Sequence, residues 1–311
     1  MALAFMYAGQ GSQHAGMGAD LYGRPAFREV FDACAEAVDF DLKTVCFEDP
    51  DGLIDRTEYT QPCMVAFAAG VTRLLEDRGI RPDITAGLSL GEYSALQAAG
   101  VFDPVQAVRL VAFRGKAMAQ AAEGIDCGMM AVLNLDAETL EAICAEVSEC
   151  GLGHVQATNY NCPGQIVISG HAAAVARAAE RAKEAGARRC LPLNVSGPFH
   201  TKLMSPAGSA LAERFRGETF GELRVPVLFN CLGREKPEDL SIPELLVRQV
   251  QSPVRMEETI RRLAELSVDT VIEIGPGKAL SGFIRKTVPD IRTIPCETLA
   301  DLENLKDVID F

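Results

Sequence analysis

Apolar positions along the chain alternate between short continuous runs and helical spacing. "LAFMYAG" is a compact apolar run that predicts a buried strand, and the glycine-rich "GQGSQHAGMG" after it predicts a loop. "PAFREVFDACAEAV" carries apolar residues at helical spacing with Pro25 near its first turn, and a second helix is expected from Pro62 to Gly79. "DITAGLS" reads as a short strand running into "LGEYSALQAAG", a helix that stops at Gly100. The next helix, "DPVQAVRLVAFRGKAMAQAA", has Asp103 as its expected N-cap and Pro104 at its first position.

The rhythm changes near residue 125. "GMMAVLNL" predicts a strand, "DAETLEAICAEVSE" a helix, "HVQATNYN-CPGQIVISG" a hairpin turning near Cys162–Gly164, "HAAAVARAAERAKEAG" a helix and "ARRCLPLNV" a last strand. That is β-α-β-β-α-β, the ferredoxin-like order. It lies between two stretches of strand–helix alternation, so residues 125–196 are expected to form a small inserted domain, with 1–124 and 197–311 making the large one. The large domain resumes with "VPVLFN", "SPVRMEETIRRLAELS", "DTVIEIG", "KALSGFIRKT" and "IRTIP". Helices between short apolar strands imply an α/β fold with a mostly parallel sheet covered on both faces.

Composition narrows the picture. With 311 residues, 48% hydrophobic and 23% charged, the chain can bury a sizeable core. It has no run of about 18 apolar residues, and "MALAFMYAGQG" lacks the basic start of a signal peptide, so a cytoplasmic protein without a membrane span is expected. Its ten cysteines form no CxxC pair and no metal-ligand spacing; reduced, packed thiols and no metal are expected. A net charge of −13 argues against nucleic acid as a partner.

Two loops imitate nucleotide sites. A GxGxxG match from Gly9 fails at His14; around "IGPGKA", Ile272 two residues upstream and Ala279 at its end stand where a phosphate loop needs Gly and Ser/Thr. The stronger signal is "GLSLGEYSAL". Gly87 and Gly91 flank Ser89 between a strand and a helix, the context of a nucleophile elbow, and the Leu90 N–H at the helix start is a candidate oxyanion donor. A glycine-flanked turn without chemistry is the alternative.

A serine nucleophile needs a base, and there are four histidines. His171 is expected to cap a helix, and His154 to begin a hairpin strand. His200, in "NVSGPFHTKLM", and His14, in the first glycine loop, both remain candidates, with the fixed Gly/Pro approach favouring His200. No acid to complete a triad stands out. Arg114 interrupts an apolar stripe between Leu110 and Met118. Either its side chain snorkels to solvent, or it is a guanidinium held ready for a carboxylate.

Eight ordered stretches, "AGQGSQHAGMG", "TQPCMVA", "GLSLGEYSAL", "AFRGKAM", "NCPGQIVISG", "SGPFHTKLM", "LVRQVQSPV" and "EIGPGKALSG", together resemble the malonyl-CoA:acyl-carrier-protein transacylases of bacterial type II fatty-acid synthesis. The resemblance implies an α/β-hydrolase-like large domain with a ferredoxin-like insertion. It implies Ser89 as the acylated nucleophile and His200 as its base and acid. The oxyanion hole would use the Gln10 and Leu90 backbone N–H groups, and the Gln249 main-chain carbonyl would orient the histidine. Arg114 would pair with the malonyl carboxylate, Gln61 would line the site, and Phe199 resembles the bulky residue that goes with malonyl over methylmalonyl.

It also implies coenzyme A thioester as substrate and acyl carrier protein as partner, whose phosphopantetheine thiol accepts the malonyl group; no cofactor is needed. Arg188, Arg189, Arg285 and Lys286 are candidate carrier contacts, and a monomer is expected. The chain departs from the family at Leu88, where the usual elbow has histidine. Acyl transfer is expected to survive that change, because base and oxyanion donors come from elsewhere. Competing readings are a free-standing polyketide acyltransferase, a serine esterase or thioesterase, and a non-catalytic relative that binds acyl carriers.

Overall fold

The computed structural model describes residues 2–193 and 195–305. Asn194, in the last strand expected of the insertion, and residues 306–311, at the end of the large domain, lie outside the described residues. The strands are β1 (Leu3–Tyr7), β2 (Ile84–Gly87), β3 (Cys127–Leu133), β4 (Val155–Cys162), β5 (Gln165–His171), β6 (Arg189–Leu193), β7 (Val227–Leu228), β8 (Thr270–Ile274) and β9 (Arg292–Cys296). The first six helices are α1 (Pro25–Ala35), α2 (Leu42–Phe47), α3 (Thr57–Glu76), α4 (Gly91–Ala98), α5 (Pro104–Ala122) and α6 (Ala137–Glu149). Then come α7 (Ala172–Glu184), α8 (Ser205–Phe215), α9 (Ile242–Gln249), α10 (Met256–Glu265), α11 (Ala279–Thr287) and α12 (Leu299–Asn304).

These elements cluster into two units. One comprises the chain up to Gly115, Phe220–Leu228 and the chain from Arg262; the other comprises Lys116–Thr219 and Phe229–Arg261. The first holds a five-stranded sheet in the order β7-β2-β1-β8-β9, parallel at every pairing. β1, β2 and β8 are buried at every position, as expected of apolar runs covered on both faces.

The second unit contains β3-α6-β4-β5-α7-β6, with its antiparallel strands in the order β4-β5-β3-β6. This is the ferredoxin-like arrangement the strand–helix rhythm predicts. One face of this sheet meets α6 and α7 over a core that includes Val132, Leu140, Ile143, Val155, Ala157 and Ile168. Fully burying the larger aliphatic side chains contributes about 1.5–3 kcal/mol each. Register shifts in β4 bend it near Asn159, which bridges Val254; the Val254 N–H also donates to Thr158 and its carbonyl accepts from Tyr160. Those bonds tie the 229–261 segment to this unit.

Local expectations held in part. Asp103 caps α5, its Oδ1 accepting from the Gln106 N–H at 2.8 Å, and the β4–β5 hairpin turns at Gly164 with φ +73°. α3, however, begins at Thr57 and carries Pro62 inside it. A proline there forfeits the bond to the Glu58 carbonyl, a cost of about 3 kcal/mol. The helix is buried almost without a break from Thr60 to Leu75, so packing overrides propensity. His171 occupies the N-cap of α7 without capping it by its side chain; its Nδ1 accepts from the His154 N–H at 2.9 Å instead.

Candidate active site

In the first unit, register places Tyr7 at the end of β1 beside Gly87 of β2 and Ile274 of β8. Loops after these three strands therefore leave the same carboxyl edge of the sheet, where open α/β sheets bind their ligands. They are the Gln10 loop, the Ser89 turn and the Gly275–Lys278 turn.

Ser89 sits between β2 and α4 with φ +51°, in the left-handed region that a serine rarely occupies. Such strain survives where the surroundings over-determine it, and a strand-to-helix elbow is such a place. The flanking glycines are needed for space. A Cβ on Gly87 would lie 2.1 Å from the carbonyl of Gly91, and one on Gly91 would lie 2.2 Å from the Tyr7 oxygen.

The Gln10 loop runs against this elbow, since a Cβ on Gly9 would come within 2.6 Å of the Leu88 oxygen and 3.2 Å of the Leu88 Cγ. Leu88 is half-buried there and its backbone N–H donates to Tyr7. Among the described residues, neither the Gln10 nor the Leu90 backbone N–H donates to another backbone group outside helices and strands.

Arg114 is fully buried, at 1% exposure, and does not snorkel. Its Nη2 donates to Ser89 Oγ at 3.2 Å and its Nη1 to Gln61 Oε1 at 2.9 Å. Gln61 Nε2 reaches Gln10 Oε1 at 3.4 Å, and Gln10 Nε2 donates to Thr57 Oγ1 at 2.9 Å. Gly115 allows the close approach of α5 to α3, because a Cβ there would meet the Thr57 oxygen at 2.8 Å. Burial pulls the guanidinium below its ordinary pKa, opposed by Tyr93 and Glu92. The Tyr93 ring lies 5.5 Å from Arg114 Cζ. Sequence reasoning passed over Tyr93; its signal was an aromatic residue one helical turn after Ser89.

In the second unit, His200 is 3% exposed and also adopts a left-handed backbone, φ +60°. Its Nδ1 lies 2.9 Å from the Gln249 main-chain oxygen at the end of α9. A carbonyl can only accept, so Nδ1 carries the proton and Nε2 presents a lone pair. His14, the other candidate base, has Nδ1 on the Ala15 oxygen at 2.9 Å and Nε2 on Glu297 Oε1 at 2.6 Å. Its bond to Glu297 raises its pKa, and both nitrogens are taken. The first unit thus gathers Ser89, Arg114, Gln61 and Gln10; the second gathers His200 and Gln249.

Elsewhere, Arg188, Arg189, Arg285 and Lys286 are exposed, while Phe199 is 7% exposed. All ten cysteines are free thiols and seven are buried. Among the described residues no helix is long and apolar enough to cross a membrane. The phosphate-loop likeness of "IGPGKA" has a different explanation. The buried Glu273 carboxylate accepts from the Leu280 N–H at 2.9 Å, the Ser281 N–H at 2.7 Å and the Ser281 hydroxyl at 2.5 Å, so the start of α11 is filled by the chain's own anion.

Residues 4–307 match the acyl transferase domain family. The malonyl CoA-acyl carrier protein transacylase of Bacillus subtilis is 44% identical over 94% of this chain and 92% of its own. The transacylase structure from Clostridium perfringens superposes with a TM-score of 0.94 at 41% identity, covering 99% of this chain and 97% of its own. A malonyl-transacylase solved in complex with a type II polyketide acyl-carrier protein gives 0.95 at 37% identity, over 99% of this chain and all of its own. The chain belongs to the malonyl-CoA:acyl-carrier-protein transacylase family.

Proposed function

We propose that this protein moves a malonyl group from coenzyme A to the phosphopantetheine thiol of an acyl carrier protein through a malonyl ester on Ser89. One observation carries the reading: a fully buried arginine donates to the oxygen of a strained elbow serine. A serine hydrolase of neutral esters has no use for a buried guanidinium, whereas an acyl group ending in a carboxylate gives it a partner of opposite charge.

In the first half-reaction His200 Nε2 takes the Ser89 proton as Oγ bonds to the thioester carbonyl carbon. The Gln10 and Leu90 N–H groups hold the resulting oxyanion. Collapse breaks the carbon–sulfur bond, and the imidazolium returns the proton to the departing coenzyme A sulfur. In the second half His200 takes the proton of the phosphopantetheine thiol, the sulfur attacks the ester carbonyl, and the proton returns to Ser89 Oγ. The Gln249 carbonyl keeps His200 in the tautomer this sequence needs. Arg114 holds the malonyl carboxylate throughout, with Gln61 supporting it.

The carrier would dock through Arg188, Arg189, Arg285 and Lys286, local positive charge on a chain of net charge −13. The enzyme would act as a cytoplasmic monomer in fatty-acid synthesis. The relative solved with a polyketide carrier supports a second reading, in which the acceptor is a carrier of that kind.

Intact mass after incubation with malonyl-CoA tests the proposal. The wild type should gain a malonyl adduct that a carrier removes, and Ser89→Ala should gain none. Absence of both adduct and transfer overturns the reading, and rapid loss of the adduct to water would make the protein a hydrolase. Arg114→Ala should lower malonyl transfer about a hundredfold while changing acetyl transfer little, since acetyl has no carboxylate for the guanidinium to hold.

A further inference from the structure

Gln249 holds the imidazole of His200, and the strained main chain of His200 has a holder of its own. Gln156 lies in β4 between Val155 and Ala157, both of which belong to the core beneath α6 and α7. Strand alternation puts Gln156 on the opposite face, so the insertion's own core does not use it. Its Nε2 donates to the His200 oxygen at 3.3 Å, and its Oε1 accepts from the Lys202 N–H at 3.4 Å. One side-chain amide thus bridges the backbone on both sides of Thr201, the residue after the base.

The orientation of that amide is itself set. His154 Nε2 lies 2.7 Å from Gln156 Oε1, and the His154 backbone N–H donates to His171 Nδ1. With Nε2 protonated, His154 donates to Oε1, which turns the amide nitrogen toward the His200 carbonyl. The flipped amide would set oxygen against oxygen there. Two histidines that the proposed chemistry leaves idle therefore form the outer part of a chain ending at the base.

We infer that Gln156 is a positioning residue for His200: its amide, aligned by His154, holds the left-handed main chain that aims the imidazole. This role rests on the reading of His200 as the general base. Loss of the amide should let the ring drift from its attack geometry while substrate binding beside Arg114 stays as it was. Misplacement on this scale costs roughly tenfold to a hundredfold in rate.

The test is steady-state malonyl transfer by Gln156→Leu and Gln156→Glu. Both should lose about tenfold or more in kcat, with KM for malonyl-CoA unchanged within about twofold. The carboxylate introduced by Gln156→Glu still accepts from Lys202 and His154 but cannot donate to the His200 oxygen, so it should not restore the rate. In a His200→Ala background, Gln156→Leu should cause no further loss. A kcat within about twofold of wild type in both variants overturns the inference, as does an equal loss with and without His200. Full transfer by His200→Ala alone would instead sink the reading of His200 as base. If Gln156→Leu fails to fold, the isosteric Gln156→Glu decides.

Discussion

Two strand-to-helix turns leave the same edge of the parallel sheet and put the same backbone feature to opposite uses. After β2, the turn into α4 carries Ser89 at a left-handed φ, with glycines on both sides where backbone segments nearly touch. After β8, the turn into α11 is as rich in glycine, but Glu273 reaches forward and accepts three hydrogen bonds at the start of that helix. A helix N-terminus attracts negative charge wherever it occurs. At the start of α11 that charge is the carboxylate of Glu273, whereas the residue placed at the start of α4 is the hydroxyl-bearing Ser89, and that separates the two turns.

The contrast should be greatest at the glycines. Gly91→Ala would force a Cβ against the β1 backbone at 2.2 Å and should cost about 3 kcal/mol or more, or prevent folding. Gly277→Ala meets nothing within 4 Å and pays only for its φ of +82°, about 1 kcal/mol. Denaturant unfolding of the two variants measures the difference; equal losses would mean that close approach is not what the elbow glycines provide.

A smaller effect should come from the filled turn. Glu273→Gln keeps the shape of the side chain and one acceptor oxygen, which can still take the Ser281 N–H and hydroxyl, but sets its NH₂ against the Leu280 N–H. The loss should be about 1–3 kcal/mol of stability, read in the same unfolding experiment, with malonyl transfer by the folded enzyme near wild type. A large fall in kcat with unchanged stability would show that the second turn takes part in the chemistry after all.

The smallest effect lies where the two loops are linked. Glu297 accepts from the Gly277 N–H at 2.9 Å and pairs with His14 of the Gln10 loop at 2.6 Å. The pair raises the His14 pKa in the folded state above the unfolded value of about 6.5. Its stabilisation is therefore fully present below that unfolded value and is lost as pH rises through the higher folded one. With His14 52% exposed, screening keeps the contribution well under about 1 kcal/mol. Unfolding of wild type and His14→Gln should differ at about pH 5.5 and converge at about pH 8.5, on either side of the ordinary histidine value. A gap that widens with pH would contradict this sign.

Much of this arrangement was legible in local sequence. "DITAGLSLGEYSAL" carries the elbow in adjacent residues, because the strand, the tight turn and the helix start all follow from side-chain size and spacing. The β-α-β-β-α-β rhythm of the insertion was readable for the same reason. The start of α3 was not: Pro62 looks like a helix start, and only burial of the surrounding face explains a helix that begins five residues earlier. α8 and α9 were also passed over as helices, though α9 ends at Gln249, whose carbonyl meets His200. Glu273 left a signal that went unused, a lone carboxylate in the apolar run "TVIEIG" ahead of a helix start.

Residue order was enough to establish the alternating strands and helices, the elbow that presents Ser89, and the resemblance to the family. These depend on residues close together in the chain or on the succession of whole motifs. The folded chain was needed to show which way Arg114 points, that His14 is occupied, and that a backbone carbonyl at Gln249 serves His200 where no acid could be found. It was needed too for the reach of Gln156 to the His200 main chain. Each of those is a matter of which polar group finds a partner once water is excluded, and the partners lie 25 to 283 positions apart in the chain.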